Sequence, residues 1–380
     1  MNRSSQAQWE EALTAAERIA VCRPILPSAD HLLPYLKVID ETRRYSNHGT
    51  LLLALQLRLS EAMGGNFVAL ASSGTTALEG AILTSAGRAR PQRPVCLMPA
   101  FTFIGSVAAV ERCGFEPHFV DVDPETWMLD PGSLLSHPRL DSAGLVLTVS
   151  AFGRKVDQAP WTAFRDATSI PVVIDGAAMV ESTFASPSEC IGDIPVALSF
   201  HATKAFAIGE GGAVVTSSER TWRSAMAALN FGFDGTRLAV AAGVNGKMSE
   251  YHAAIGHAEL DGWAEKLSRY RKASALLREA CEPADVIISP VIGANYAIAR
   301  AASEHDAARL QRRLELSGIG YRRWYGDGAH LHPHTMTLPR DPALPITEEL
   351  SRTLIGMPMS VDLSAEDIGL IGEAVREAFA

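Results

Sequence analysis

The feature that most constrains the fold is a series of short apolar runs between residues 67 and 217, separated by stretches of helical periodicity. The runs are FVALA (67–71), PVCLMPA (94–100), PHFVDV (117–122), GLVLTVSAF (144–152), PVVID (171–175), PVALSF (195–200) and GAVVTS (212–217). Most are apolar on both faces, which is typical of strands buried on both sides of a parallel sheet. Strands that alternate with helices predict βαβ units, and therefore an α/β fold with a mostly parallel central sheet flanked by helices.

The pattern changes after about Gly246. The strand signal fades there, a long helical segment begins, and two short strand-like runs follow at 285–291 and 295–302. We therefore predict a large α/β domain over residues 31–250 and a smaller C-terminal α+β domain over residues 251–380. A helical N-terminal extension over residues 1–30 is predicted to precede them.

Composition limits the classes of partner. The chain has 34 Lys and Arg residues against 43 Asp and Glu residues, a formal net charge of −9, which argues against sequence-independent binding to nucleic acid or anionic lipid. No uncharged apolar run reaches the roughly 18 residues that a membrane helix requires. The N-terminal segment is charged where a secretory signal is apolar, and five scattered cysteines fit reduced thiols. The sequence therefore predicts a cytoplasmic protein that binds neither nucleic acid nor membrane.

Two segments at the carboxyl ends of predicted strands point to a bound ligand, because open parallel sheets bind ligands at that edge. Residues 72–77 (SSGTTA) follow one strand and open a helix with small and hydroxyl side chains. Such a helix N-terminus binds phosphate, although an ordinary turn with a Ser or Thr cap has the same composition. Asp175 ends another strand, where a carboxylate pairs with a cationic ring nitrogen or serves only as a turn residue.

Two further segments fit the same edge. Lys204 lies between two buried runs in apolar, glycine-rich surroundings, where partial burial favours a neutral amine that can form a Schiff base. A solvated lysine is the ordinary alternative. The aromatic residues at 101–103 either stack on a planar ligand or belong to the core. A phosphate site, a carboxylate, a lysine and an aromatic ring together match what pyridoxal 5′-phosphate (PLP) requires of a protein.

At these residues the sequence resembles the DegT/StrS family of sugar aminotransferases, which have the aspartate-aminotransferase-like architecture called fold type I. The most specific match is SFHATKAFAIGEGGAVVTS (199–217), and the resemblance runs from about Arg44 to near the C-terminus. It also includes residues 72–82, 99–134, 243–256 and 344–368. The resemblance implies a PLP-dependent aminotransferase that works by ping-pong transamination. The amino group would pass from an amino acid, with L-glutamate as the expected donor, to a keto-sugar such as a nucleotide-linked 3- or 4-keto hexose.

The resemblance also implies roles for single residues. Lys204 would be the Schiff-base lysine and acid/base catalyst, Asp175 the partner of the pyridine nitrogen, and Phe103 the residue that stacks on the ring. The phosphate would be held by Gly74, Thr75 and Ser199. Asn245 matches an Asn that reaches the phosphate of the neighbouring subunit's cofactor, which implies a homodimer with shared active sites. Ala178 is a departure, because the family usually has Gln or His there, near the oxygen of the ring.

Two alternatives remain open at this point: a PLP-dependent sugar dehydratase, or a PLP-binding regulatory protein without turnover. The dehydratases of the family carry His at the lysine position, so Lys204 argues against the first alternative, and the complete set of site residues argues against the second. The alternating His330, His332 and His334 resemble a set of metal ligands. Pro333 interrupts that strand pattern and no Cys completes the set, so we predict no metal site.

Overall fold

The computed structural model describes residues 18–379 and is built around a seven-stranded sheet in the order β1-β7-β6-β5-β4-β2-β3. The strands are β1 (Phe67–Ala71), β2 (Val95–Pro99), β3 (Glu116–Val120), β4 (Ala143–Val149), β5 (Val172–Asp175), β6 (Val196–Ser199) and β7 (Gly212–Thr216). Only β7 runs opposite to the others, because it pairs antiparallel with β1 and β6 while every other pair is parallel. The predicted α/β fold with a mostly parallel sheet is confirmed.

Helices cover both faces of this sheet. In chain order, the helices within residues 18–379 are α1 (Ala29–Thr42), α2 (Thr50–Ala62), α3 (Gly74–Ser85), α4 (Ile104–Arg112), α5 (Pro131–Leu134), α6 (Gln158–Thr168), α7 (Val180–Ala185), α8 (Pro187–Cys190), α9 (Glu219–Ala228), α10 (Glu250–Cys281), α11 (Glu304–Leu316), α12 (Pro345–Thr353) and α13 (Ala365–Phe379), of which the last three lie in the C-terminal region. Short 3₁₀ turns lie at Leu140–Ser142, Ala151–Gly153 and Ala329–Leu331. None of the helices within residues 18–379 is both long and apolar enough to span a bilayer.

The strands separate two apolar layers. Along β2, Cys96 and Met98 pack in the layer that contains helices α3 and α4, whereas Val95 and Leu97 pack in the opposite layer. This alternation follows from the pleat of a strand, which points successive side chains to opposite faces. Because both layers are apolar, the sheet is buried on both sides, and its ligand-binding side chains stand at the ends of the strands.

A second, smaller sheet lies toward the C-terminus. Its strands are β8 (Val286–Ile288), β9 (Ala297–Arg300) and β10 (Leu354–Met357), and both pairs are antiparallel in the order β10-β9-β8. Helix α10, with 32 residues, connects the region of the large sheet to this one. The residues just before β9 reach back to the ligand edge of the large sheet, as described below.

The predicted helical extension over residues 1–30 falls partly on residues 1–17, which lie outside the described residues. Residues 18–28 contain no helix, so the prediction is wrong for that stretch, and the first described helix begins at Ala29. Pro24 and Pro27 explain the extended chain, because proline has no N–H for a helical hydrogen bond. Instead, Ile19 bridges Ile319, and the segment lies beside α10. The boundaries of the predicted domains stay a prediction.

Candidate active site

Asp175 is the last residue of β5, and its carboxylate is buried. Oδ2 accepts a hydrogen bond from the Ser106 hydroxyl at 2.7 Å, and Oδ1 accepts one from the Ala177 N–H at 3.1 Å. Burial raises the pKa of Asp175, while these two donors and the more distant Lys204 oppose the rise. No lysine, arginine or histidine nitrogen of residues 18–379 lies within 4 Å of it. Asp175 is therefore a buried acid with neutral hydrogen-bond partners, and it can accept a cation.

Lys204 lies in the loop that joins β6 to β7 and is half-buried. Its Nζ donates to the hydroxyl of Tyr296 at 3.2 Å, while Asn295 Nδ2 donates to the carbonyl oxygen of Thr203 at 2.8 Å. Two successive residues before β9 therefore hold two successive residues of the lysine loop. The amine lies at the same edge of the sheet as Asp175, since β5 and β6 are parallel neighbours.

The N-terminus of α3 forms the third part of the site. Ser73 caps this helix by accepting from the Thr76 N–H at 3.1 Å. A Cβ added at Gly74 would come within 2.6 Å of the Ser199 Cβ, so only glycine lets the helix start this close to the end of β6. Thr75 is the next residue of the same turn. The turn combines small side chains, hydroxyls and the positive end of a helix dipole, which is an arrangement that binds phosphate.

Phe103 is the residue immediately before α4. It is 61% exposed, although phenylalanine is usually buried. A Cβ at Gly105 would lie 3.1 Å from this ring and 3.5 Å from the Thr75 hydroxyl. Ser106, in the same turn, donates to Asp175. The first turn of α4 therefore joins the aromatic ring, the phosphate turn and the buried carboxylate, and leaves the ring free to stack on a planar ligand.

Asn245 is placed differently from the other predicted site residues. Its side chain is exposed, and Oδ1 accepts from Lys247 Nζ at 2.5 Å. The next residue, Gly246, accepts a hydrogen bond from the Ser72 N–H at 2.7 Å, so the backbone here runs beside the phosphate turn. Within residues 18–379, no hydrogen bond joins the Asn245 side chain to another predicted site residue.

Sequence reasoning missed Ser106, Asn295 and Tyr296. Ser106 lies one turn after the aromatic segment, and helical periodicity could have placed it on the face of α4 that meets the sheet. Asn295 and Tyr296 belong to a strand-like run of the C-terminal region, about 90 residues after Lys204. Their contact with the lysine loop is produced by packing and has no local motif.

The side chains at this edge of the sheet fit PLP. A Cβ at Gly74 would occupy the approach to Ser199, so the phosphate turn depends on glycine at this position. Asp175 is a buried carboxylate suited to a protonated ring nitrogen, and Lys204 supplies a primary amine at the same edge. The exposed ring of Phe103 supplies an apolar face. This set matches the phosphate, the nitrogen, the aldehyde and the ring of the cofactor.

The histidines considered as metal ligands in the sequence do not converge. His330 is buried, whereas His334 is exposed and lies 2.9 Å from Glu111. A different group brings His118 and His137 together, each with Nε2 3.0 Å from Asp341 Oδ1.

Hydrogen bonding argues against a metal ion at this second group. The Arg139 N–H donates to His137 Nδ1 at 3.1 Å, so a neutral His137 carries its proton on Nε2, the atom that would have to bind the metal. His118 Nδ1 is buried without a partner, although a ligating histidine normally donates from its second nitrogen. Both rings instead donate to Asp341, which holds its segment against the edge strand β3.

Comparison with known proteins shows the family of this chain. Residues 29–376 match a model of the DegT/DnrJ/EryC1/StrS aminotransferase family. The chain belongs to this family. The match starts at residue 29 and therefore extends further toward the N-terminus than the motifs, which begin near Arg44. The aminotransferase activity predicted from the sequence is confirmed at the level of the family.

Among its relatives, the chain is 30% identical to the protein Rv3402c of Mycobacterium tuberculosis, over 99% of this chain and 93% of the relative. It is also 30% identical to the dTDP-4-amino-4,6-dideoxy-D-glucose transaminase of Shigella dysenteriae, over 64% of this chain and 65% of that enzyme. The crystal structure of DesI in the presence of its TDP-sugar product superposes with a TM-score of 0.83 and 26% identity, covering 95% of this chain and 93% of DesI. The protein is therefore an aminotransferase of a sugar aminotransferase family, with fold type I architecture.

Proposed function

We propose that this aminotransferase binds PLP and transfers an amino group from L-glutamate to a nucleotide-linked 3- or 4-keto hexose by ping-pong transamination. The observation that carries the proposal is the placement of a buried, cation-free carboxylate and a half-buried lysine at the ends of adjacent strands. The names of the relatives support the choice of acceptor, since the Shigella enzyme is named for a dTDP-linked amino sugar and DesI was crystallised with a TDP-sugar product.

Each side chain has a defined task in this reaction. PLP, when bound, supplies a conjugated ring that accepts the electron pair left on the α-carbon of the donor. Asp175 would hold the proton on the ring nitrogen, since a buried carboxylate favours a cationic partner. Lys204 Nζ would remove the proton from the α-carbon of the amino acid and, in the second half-reaction, deliver a proton to the acceptor carbon of the keto-sugar.

The remaining residues bind and orient. Ser199 and Thr75 would donate hydroxyls to the phosphate at the N-terminus of α3, which Gly74 allows to approach. Phe103 would stack on the ring and exclude water from one face. These contacts to the phosphate and the ring would position the reacting carbon beside Lys204. Binding groups away from the reacting atoms would in this way increase the rate.

We propose that the protein is a homodimer in which Asn245 reaches the phosphate of the neighbouring subunit's cofactor. The segment before Asn245 exposes Leu238 (73%), Val240 (67%) and Phe231 (45%), a set of apolar side chains that a second chain would cover. Light scattering on the purified protein tests the assembly. A monomer at the concentrations used for assays would contradict the shared site.

We also propose the division into a large domain over residues 31–250 and a small domain over residues 251–380, after an extension over residues 1–30. The two sheets fall on either side of this boundary, which supports it. We propose the cytoplasm as the location, because none of the five cysteines forms a disulfide. Limited proteolysis would test the boundary, and fractionation of cells would test the location.

The experiment that tests the reaction is an absorbance spectrum of the purified protein with PLP, before and after L-glutamate is added. We expect the visible band of the lysine-bound cofactor to give way to the near-ultraviolet band of its aminated form. Keto-sugar nucleotides then restore the first band if they are acceptors. A lysine-bound band that does not respond to glutamate would contradict the proposed donor and favour the regulatory alternative without turnover. Absence of the visible band would contradict the role of Lys204.

A further inference from the structure

Tyr296 lies immediately before β9, outside the large sheet, yet its hydroxyl oxygen is 3.2 Å from the Nζ of Lys204. We propose that Tyr296 is a positioning residue, which holds the Lys204 amine and supplies the polar group that Ala178 cannot supply beside the cofactor ring. This inference rests on the proposed function, because it assumes that Lys204 carries the cofactor.

The surroundings of Tyr296 leave its hydroxyl little freedom. The side chain is buried, and its ring packs edge-on against Phe152 at 5.6 Å and against Trp324 at 5.3 Å between ring centroids. Its backbone N–H donates to the carbonyl oxygen of Gly293 at 2.9 Å. The neighbouring Asn295 donates to Thr203, so backbone and side-chain contacts both fix the phenol relative to the lysine loop.

The segment that carries Tyr296 also packs against Ala178. A Cβ at Gly293 would lie 3.1 Å from the carbonyl oxygen of Ala178, and a Cβ at Gly153 would lie 2.4 Å from the same oxygen. The side chain of Ala178 also packs against the apolar cluster that contains Phe152 and Tyr296, so Ala178 and Tyr296 belong to the same part of the site. The methyl group of Ala178 has no donor, whereas the phenol has both a donor and an acceptor.

The chemistry of a phenol suits both parts of this role. Its oxygen accepts a hydrogen bond from the lysine ammonium, and its O–H can donate to the ring oxygen of the cofactor beside the amine. A donated bond favours the form of the cofactor with one proton fewer at that oxygen. Loss of the hydroxyl therefore has two separate consequences: it frees the amine in the protein without cofactor, and it removes a donor beside the ring in the holoenzyme.

The first test uses Tyr296→Phe, which keeps the ring and its packing. The full-length protein is stripped of cofactor and treated with an amine-reactive reagent at fixed pH, and modification of Lys204 is followed by peptide mass spectrometry. We expect modification to be about threefold to tenfold faster in the variant, because the hydroxyl that holds the amine at 3.2 Å has been removed. Tyr325→Phe is the control, since its hydroxyl accepts from the Phe152 N–H and does not touch Lys204. Equal rates in wild type and Tyr296→Phe would overturn the proposal.

The second test is a pH titration of the bound cofactor's absorbance in the holoenzyme. We expect the midpoint to rise by about one pH unit in Tyr296→Phe and to stay in place in Tyr325→Phe. An unchanged midpoint would overturn the role toward the ring. Failure of the proposed function has a different result, namely a wild-type protein that forms no lysine-bound cofactor. In that case the modification rate of Lys204 still decides whether Tyr296 holds the amine.

Discussion

Two buried carboxylates in this protein have opposite surroundings. Glu259, in α10, is 4% exposed and accepts from Lys266 Nζ at 2.5 Å and from the Ala207 N–H at 3.2 Å. Asp175 is 7% exposed and, within residues 18–379, accepts only from the Ser106 hydroxyl and the Ala177 N–H. Burial raises the pKa of both groups, but the charge of Lys266 is the main force that opposes it at Glu259, whereas neutral donors lead at Asp175.

The difference separates a structural acid from a binding acid. The ion pair with Lys266 offsets part of the cost of burying Glu259, and the Ala207 N–H links it to the end of the lysine loop. Asp175 retains that cost until a cation arrives, so a protonated ring nitrogen gains more there than at a paired site. The molecule therefore stabilises its fold through Glu259 and keeps Asp175 ready for a ligand.

The largest effect is expected for the lysine at the site. Lys204→Ala should lower turnover by about 10⁴-fold or more, because no other amine takes both the covalent and the proton-transfer role. The variant should fold normally, since the hydroxyl of Tyr296 is the one hydrogen-bond partner of Lys204 Nζ in the part of the chain that the structure describes. Steady-state assays and thermal melting check both statements. Measurable turnover within tenfold of wild type would remove Lys204 from the mechanism.

Asp175→Asn should lower kcat by about 10²- to 10³-fold, because the ring nitrogen loses its anionic partner. Without cofactor, the same variant should be more stable than wild type at neutral pH. The raised pKa means that the folded state holds this proton more tightly than the unfolded state. Wild-type stability therefore falls as pH rises above the ordinary value of 3.8, and the variant is free of that loss.

Urea unfolding of the cofactor-free proteins at several pH values measures this difference. The advantage of Asp175→Asn should disappear as pH falls below 3.8, where the wild-type carboxyl becomes protonated in both states. Near-normal turnover, or a variant that is less stable at neutral pH, would show that Asp175 is an ordinary structural acid like Glu259.

Glu259→Gln should have the opposite effects to Asp175→Asn, with a large loss of stability and a small loss of turnover. It leaves the Lys266 ammonium largely buried without an anion, and we expect the free energy of unfolding to fall by about 3 kcal/mol. Turnover per folded molecule should decrease less than tenfold, because Glu259 touches the lysine loop only through Ala207. Active-site titration after partial unfolding separates the two effects. A loss of turnover as large as that of Asp175→Asn would contradict the comparison.

The fold and one half of the site could be predicted from the sequence, for a physical reason. Apolar runs alternating with helices determine a parallel sheet, and a sheet of this kind brings the residues that follow its strands to one edge. Asp175, Lys204 and residues 72–77 were therefore placed together by topology alone. The prediction of a helix over residues 18–28 is wrong because Pro24 and Pro27 prevent a helix there, although the flanking residues have a helical pattern.

The other half of the site depends on distant packing. Tyr296 meets Lys204 because the region of the small sheet folds back onto the ligand edge, and no periodicity in residues 293–296 encodes this contact. The bond of Ser106 to Asp175 and that of the Ala207 N–H to Glu259 are similar cases, since each joins residues far apart in the chain. Local patterns predict elements and their order, whereas hydrogen bonds between elements require the assembled core.

The smallest effect is expected at Ser106, which tests whether neutral donors tune Asp175. Ser106→Ala removes the 2.7 Å hydrogen bond that lowers the pKa of the carboxyl, so that pKa rises further. The acidic limb of the pH–rate profile should move about one unit to higher pH, with a loss of about tenfold at its former midpoint. Thr102→Val is the matched control, because the Thr102 hydroxyl is 2.9 Å from that of Ser106 and does not bond to Asp175. If both variants shift the profile equally, the polarity of the turn as a whole sets the charge of Asp175. If only Ser106→Ala shifts it, a single neutral hydrogen bond lowers the pKa of Asp175, as the charge of Lys266 lowers the pKa of Glu259.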